Sequence, residues 1–105
     1  MGAEAALLRE SLLSELDLNL LLTFAVLYRE CSVSKAARCL RLGQPAVSNA
    51  LARLRLYFND PLFKRGYRRM NPTAKATRIA EAIFPALQGV QEALRCAGST
   101  CAPQR

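Results

Sequence analysis

The sequence predicts a mainly α-helical fold: a three-helix core, a short two-stranded wing and one long terminal helix, that is, a winged helix-turn-helix with a linker or dimerisation helix. Three observations predict it. A small-faced helix, a tight turn and a second helix fill the segment S-V-S-K-A-A-R-C-L-R-L-G-Q-P-A-V-S-N-A-L-A-R-L-R-L, Ser32 to Leu56. A cation-rich segment centred on Gly66 follows, short enough for one hairpin. The last apolar repeat then advances by four, three, four, three and four residues, the step of a coiled-coil seam.

Taken in order, residues 1–16 are an acidic N-terminal extension in which Leu8, Leu12, Leu13 and Leu16 share a helical face. The winged domain is expected over residues 17–72. Asp17 is placed to cap a supporting helix, Leu18 to Arg29, through its carboxylate. Leu18, Leu21, Leu22, Ala25 and Tyr28 give that helix an apolar stripe, widened by Phe24 and Leu27. Ser32 caps the next helix, Val33–Leu40, whose Ala36 and Ala37 permit a close approach by a neighbour. Leu42-Gly43 forms the turn. Gln44-Pro45 opens the second motif helix, since a first-turn proline forfeits no helical bond.

That helix has two faces. Val47, Leu51, Leu54 and Phe58 fall within one narrow arc at about 100° per residue. Pro45, Asn49 and Ala52 point the other way, with Ser48 and Arg53 on the flanks. A helix with such an outward face, tied to a small partner, can carry side chains into a DNA major groove. Asn59-Asp60-Pro61 ends it, because the residue before proline is pushed out of helix. In L-F-K-R-G-Y-R-R-M-N-P, Leu62, Phe63, Tyr67 and Met70 are expected as apolar anchors, and Lys64, Arg65, Arg68 and Arg69 as backbone-facing cations around Gly66. Ser32, Ser34 and Lys35 offer a phosphate a helix start, hydroxyls and a charge.

Thr73 caps a helix expected over 73–95, followed by a flexible tail, 96–105. Its seam, Ala76, Ala80, Ile83, Leu87, Val90 and Leu94, suits a second copy of the chain. Ile79 and Phe84 broaden that face, so packing back onto its own domain is the competing reading. Pro85 is expected to kink the helix.

Charge supports a polyanionic partner. Of the 105 residues, 29–78 hold twelve bases against Glu30 and Asp60, whereas residues 1–17 hold four acids against Arg9. There is no histidine, which removes the usual general base and the commonest metal ligand. Cys31, Cys39, Cys96 and Cys101 form no C-x-x-C pair, and are read as reduced thiols with Cys39 beside a buried face. The apolar segment Leu18 to Leu27 is too short to span a bilayer and lacks the basic flank of a signal peptide.

In sum, L-D-L-N-L-L-L-T-F, S-V-S-K-A-A-R-C-L, G-Q-P-A-V-S-N-A-L-A-R-L-R, F-N-D-P-L-F-K-R and N-P-T-A-K-A, in that order from about Leu16 to Arg95, resemble the DNA-binding domain of LysR-type transcriptional regulators. The form L-R-L-Y-F-N-D-P-L-F is similar to the branch with nodulation regulators and activators that respond to aromatic compounds. The resemblance implies sequence-specific binding of double-stranded promoter DNA by a homodimer, extended to a dimer of dimers in a longer protein, in the cytoplasm at the nucleoid. It implies base contacts from Gln44, Pro45, Ala46, Ser48 and Asn49, of which the outward face already singles out Pro45, Ser48 and Asn49. It implies backbone contacts from Arg53, Lys64, Arg65 and Arg68. No cofactor is expected in this chain; a small-molecule effector would bind a C-terminal domain that these residues do not include. Two positions depart from the pattern: Gly43 replaces the usual serine cap, and Arg69 stands where the wing usually has glycine.

Other readings rest on less. An RNA- or ribosome-associated protein would share the charge, but the aromatics lie mostly on core faces instead of forming a stacking platform. A module that only dimerises would leave the basic window unexplained. An enzyme lacks a nucleophile–base pair or a metal constellation.

Overall fold

The structure, a computed structural model, describes residues 8–101. Among the described residues five helices and one hairpin follow in order: α1 Glu10–Glu15, α2 Leu18–Glu30, α3 Val33–Leu40, α4 Gln44–Phe58, β1 Phe63–Arg65, β2 Met70–Pro72 and α5 Ala74–Cys101. The mainly helical winged architecture expected from the sequence is the one observed. Part of the extension (1–7) and the end of the tail (102–105) lie outside the described residues.

α2, α3 and α5 begin where their capping chemistry predicts. The Asp17 carboxylate accepts from the Asn19 N–H at 2.9 Å, and Ser32 Oγ from the Lys35 N–H at 3.1 Å. Thr73 Oγ1 accepts from the Ala76 N–H at 3.1 Å. Gly43 supplies no side-chain cap to α4, and Pro45 occupies the first turn. The helix ends are less predictable. α2, α3 and α4 all stop at a left-handed residue, and none is glycine: Cys31, Arg41 and Asn59. Arg41, not Gly43, therefore makes the reversal between α3 and α4. Gly43 sits at φ −75°, open to any residue.

The core lies where α2, α3, α4 and the start of α5 meet. Phe24, Leu27, Ala36, Val47, Leu54, Leu62 and Ala76 are fully enclosed. Phe24 is the hub, with ring centroids 5.9 Å from Phe63, 6.2 Å from Tyr28 and 6.4 Å from Phe58. Tyr28 passes the chain of rings on to Phe84 of α5 at 6.0 Å. Burial of that kind makes a Phe-to-Ala change at such a hub worth about 3–5 kcal/mol. Val47, Leu51 and Leu54 form the inner face of α4 as expected, with Phe58 half-buried.

Several expectations need correction. On α2 the core face is Leu20, Phe24 and Leu27, while Leu18 and Leu22 are exposed. This helix is apolar nearly all round, so periodicity cannot orient it. Tyr67 is no anchor: it is 93% exposed at the tip of the wing. Cys39 lies beside the buried Ala36–Ala37 face but is itself exposed, and the buried thiol is Cys31. The last helix continues to Cys101, through Pro85 and Gly89, instead of stopping near residue 95.

The seam of α5 divides. Ala76 and Ala80 are closed into the chain's own core, so they are not available to a second copy. Small side chains let this end of α5 lie tightly on α2, with Ile79 and Phe84 packed beside them. Ile83 and Leu87 are half-buried, and Val90 and Leu94 are open.

In the wing, β1 and β2 pair antiparallel with Lys64 opposite Asn71. The Gly66 N–H donates to the Arg69 carbonyl at 2.9 Å across the tip. A Cβ on Gly66 would stand 2.4 Å from that carbonyl oxygen and 2.6 Å from Asn71 Nδ2. Only glycine fits this close approach, and the glycine-centred hairpin expected from the sequence is present.

Candidate nucleic-acid interface

Three elements converge on one side of the molecule. The outer face of α4 supplies Gln44, Pro45, Ala46, Ser48 and Asn49, all exposed, because its opposite face is committed to the core. The start of α3 supplies Ser32, Val33 and Ser34. The wing supplies Arg65 to Met70. Between them runs a groove of about 560 Å³, floored by Leu51 and Phe63 and lined by Ser32, Ser34, Ser48, Arg55, Arg65 and Arg68. A convex helix face beside a cationic groove fits a polyanion better than a small apolar ligand.

The expected site residues do not all have the same freedom. Ser32 and Ser34 touch through their hydroxyls at 3.1 Å, which fixes both at the start of α3. Lys35, Arg53, Lys64 and Arg65 are exposed. Arg68 lies over the Tyr67 ring, its guanidinium carbon 5.3 Å from the centroid. Arg69, also exposed and lining the groove, instead has its guanidinium donating to Cys31 Sγ at 3.2 Å. Beside it the Met70 N–H donates to the Cys31 carbonyl at 3.0 Å. Arg69 thus ties the wing to the end of α2, a role its glycine-replacing position did not suggest.

Several cations of the basic window serve the fold. Arg55 donates to the Pro61 and Phe63 carbonyls at 2.7 and 3.0 Å. Lys75 Nζ donates to the Phe58 carbonyl at 2.7 Å. Arg29 pairs with Glu30 at 2.8 Å, and that carboxylate, with Cys39 nearby, raises the arginine pKa. Arg55 and Lys75 keep their charge, but their donors are committed to the fold and not free to follow a partner.

Sequence reasoning missed two contributors. Tyr67 had an available signal, since it lies between Gly66 and Arg68 at the hairpin tip, where a side chain has no core to enter. Asp60 was read only as part of a stop signal. Its Oδ2 accepts from the Leu62 N–H at 2.9 Å and from Thr73 Oγ1 at 2.7 Å. The Thr73 hydroxyl, then the Leu62 amide, hold this carboxyl below the usual aspartate range. Among the described residues no group of three His, Cys, Asp or Glu side chains could hold a metal ion, and no helix is long and apolar enough to cross a membrane.

A three-helix core, a paired wing and an outward helix face beside a basic groove define a winged helix-turn-helix DNA-binding protein. Residues 18–77 match the bacterial regulatory helix-turn-helix protein, lysR family, and the chain belongs to that family. It is 44% identical over 95 residues to the HTH-type transcriptional regulator LeuO of Escherichia coli, covering 90% of this chain and 30% of LeuO. It is 47% identical over 83 residues to the transcriptional activator NahR of Pseudomonas putida, covering 79% and 28%. Among solved structures, a probable transcriptional regulator from Pseudomonas aeruginosa matches with a TM-score of 0.76 at 46% identity, over 81% of this chain and 28% of that one. The DNA-binding domain of BenM, solved in complex with catB site 1 DNA, shares the fold with a TM-score of 0.73 at 23% identity, over 83% and 98%. The chain spans less than a third of the length of these curated relatives. The family consists of DNA-binding regulators and not of enzymes.

Proposed function

We propose that this chain reads double-stranded promoter DNA in a sequence-specific way as a homodimer and serves a LysR-type transcription regulator, at the nucleoid. The observation that carries the reading is the first turns of α4, where Gln44, Pro45, Ala46, Ser48 and Asn49 are all exposed and Ser48 lines the cationic groove. Gln and Asn side chains pair with adenine edges, and small apolar groups meet the thymine methyl. Ser32, Ser34, Lys35, Arg53, Lys64, Arg65 and Arg68 take the sugar–phosphate backbone. Pairing through Ile83, Leu87, Val90 and Leu94 supports a two-part site. A small-molecule effector would act through a further domain.

Selecting bound sequences from a random duplex pool tests the reading, and Asn49→Ala locates it. The substitution should weaken the selected sites by about 1–3 kcal/mol and leave non-specific duplex binding nearly unchanged. An equal fall in both would remove Asn49 from base reading.

A further inference from the structure

The end of α4 and the start of α5 are joined by more than the chain. Asp60 Oδ2 accepts from the Leu62 amide at 2.9 Å and from the Thr73 hydroxyl at 2.7 Å. The same hydroxyl caps α5 by accepting from the Ala76 N–H at 3.1 Å. The Thr73 N–H donates to the Leu62 carbonyl at 2.8 Å, and Lys75 reaches back to the last carbonyl of α4, that of Phe58, at 2.7 Å. From the other side Arg55 of α4 grips the carbonyls of Pro61 and Phe63. Leu62, enclosed in the core, is held at φ +64°, a left-handed conformation that a leucine keeps only when its surroundings impose it.

The short connection is thus tied to both helices, and one carboxylate oxygen and one hydroxyl sit at its centre. We infer that the Asp60–Thr73 bond is a positioning device that fixes the angle between the recognition helix and the dimerisation helix, and so sets which spacing of half-sites the dimer accepts. The inference rests on the proposed reading of the chain as a dimeric DNA reader. Leverage makes the angle matter. The 28 residues of α5 extend about 42 Å, so a swing of about 10° at its start moves the far end about 7 Å, roughly two base-pair rises. Neither Asp60 nor Thr73 belongs to the outward turn Gln44–Asn49 of α4, so both act through the placement of other residues.

The experiment uses the half-site that the wild-type chain selects from a random duplex pool. Duplexes carry two copies separated by one additional base pair at a time, and affinity is measured for each and for a single half-site. The wild-type chain should show one optimum and lose about tenfold at neighbouring spacings. Thr73→Val and Asp60→Ala remove the shared bond from opposite sides. Each should keep single half-site affinity within about twofold and flatten the spacing profile to within about threefold. Thr73→Ser keeps the hydroxyl and should restore the optimum. Asp60→Ala decides the matter if Thr73→Val does not fold. A wild-type optimum retained in both variants overturns the inference, as does a fall in half-site affinity with an unchanged profile, and as does a wild-type chain that binds its half-site without regard to spacing. A wild-type chain that selects no duplex at all overturns the reading beneath it instead.

Discussion

The first turns of α4 and the last turns of α5 are both open to solvent, yet they are built from opposite residues. On α4 the exposed positions include Gln44, Ser48 and Asn49, and Ser48 lines a groove shared with Arg65 and Arg68. On α5 they include Val90 and Leu94, 46% and 67% exposed, with Glu92 and Arg95 paired to each other close by. Water satisfies the first set at no cost, so its exposure alone implies nothing; the surrounding charge gives it a polyanion to meet. The second set is apolar and gains from being covered. The lesson is that two equally accessible helix faces ask for partners of different chemistry, and that the polar one depends on its neighbours while the apolar one depends on itself.

The largest expected effect breaks the second face alone. Leu94→Asp places a charge on the exposed end of the seam without touching the enclosed core. If pairing runs through that seam, sedimentation should show monomers with wild-type helicity, and affinity for a two-part site should fall about 100-fold or more as avidity is lost. Dimers that persist would move the interface elsewhere. Next in size is Gly66→Ala. Its Cβ collides with backbone at Arg69, so the wing tip must rearrange, at about 1–3 kcal/mol of stability by denaturant titration. If the wing positions the duplex while α4 reads it, as proposed, binding should then weaken on all duplexes alike. A loss confined to selected sites would instead give the wing tip a part in base reading.

Much of this division was legible before any coordinates. Asp17, Ser32 and Thr73 announce helix starts because a capping oxygen three or fewer residues ahead of its N–H is a local chemical fact. Val47, Leu51 and Leu54 orient α4 because they share one arc while Gln44, Ser48, Asn49, Arg53 and Arg55 lie off it. Where nearly every position is apolar, as along most of α2, the pattern holds little phase, and the buried face depends on which side Phe24 can meet Phe63 and Phe58. The left-handed ends at Cys31, Arg41 and Asn59 carry no glycine to betray them. The seam of α5 was visible as a repeat, but a repeat cannot say that alanines at 76 and 80 serve the chain itself while Val90 and Leu94 face outward. Likewise, the count of bases could not show that Arg55, Arg69 and Lys75 bind the fold. Such roles depend on residues brought together from 8, 38 and 17 positions away in the chain.

That distinction between fold-bound and partner-facing cations can be measured. Lys64 is exposed on β1 with its charge free of the core, so Lys64→Ala should leave stability unchanged within about 0.5 kcal/mol. It should weaken every duplex and flatten the dependence of log affinity on log salt by about one unit. Lys75→Ala is the contrast. It removes the bond to the Phe58 carbonyl at the end of α4, and its effect should appear mainly as lost stability, about 1 kcal/mol, with little change in salt slope. Equal salt effects from the two would mean that Lys75 reaches the phosphate backbone as well.

The smallest expected effect concerns the joint between the two faces. In the folded chain the Asp60 carboxyl lies below its ordinary value of 3.8, first because the Thr73 hydroxyl and then the Leu62 amide donate to its charged form. A carboxyl whose native pKa is depressed contributes stability that is fully present above its unfolded value. That contribution is lost as the pH falls through the lowered native value, where the charged acceptor becomes a neutral acid. Asp60→Asn keeps an oxygen to accept both bonds and removes the titration. Melting of the two proteins from about pH 6 to about pH 2.5 should show a constant difference in favour of wild type above the ordinary aspartate range. The gap should close on the acid side. A gap independent of pH would mean that the joint is held by the Thr73–Leu62 backbone bond and the Lys75 side-chain bond to Phe58 alone, with the Asp60 charge adding nothing to the coupling of α4 to α5.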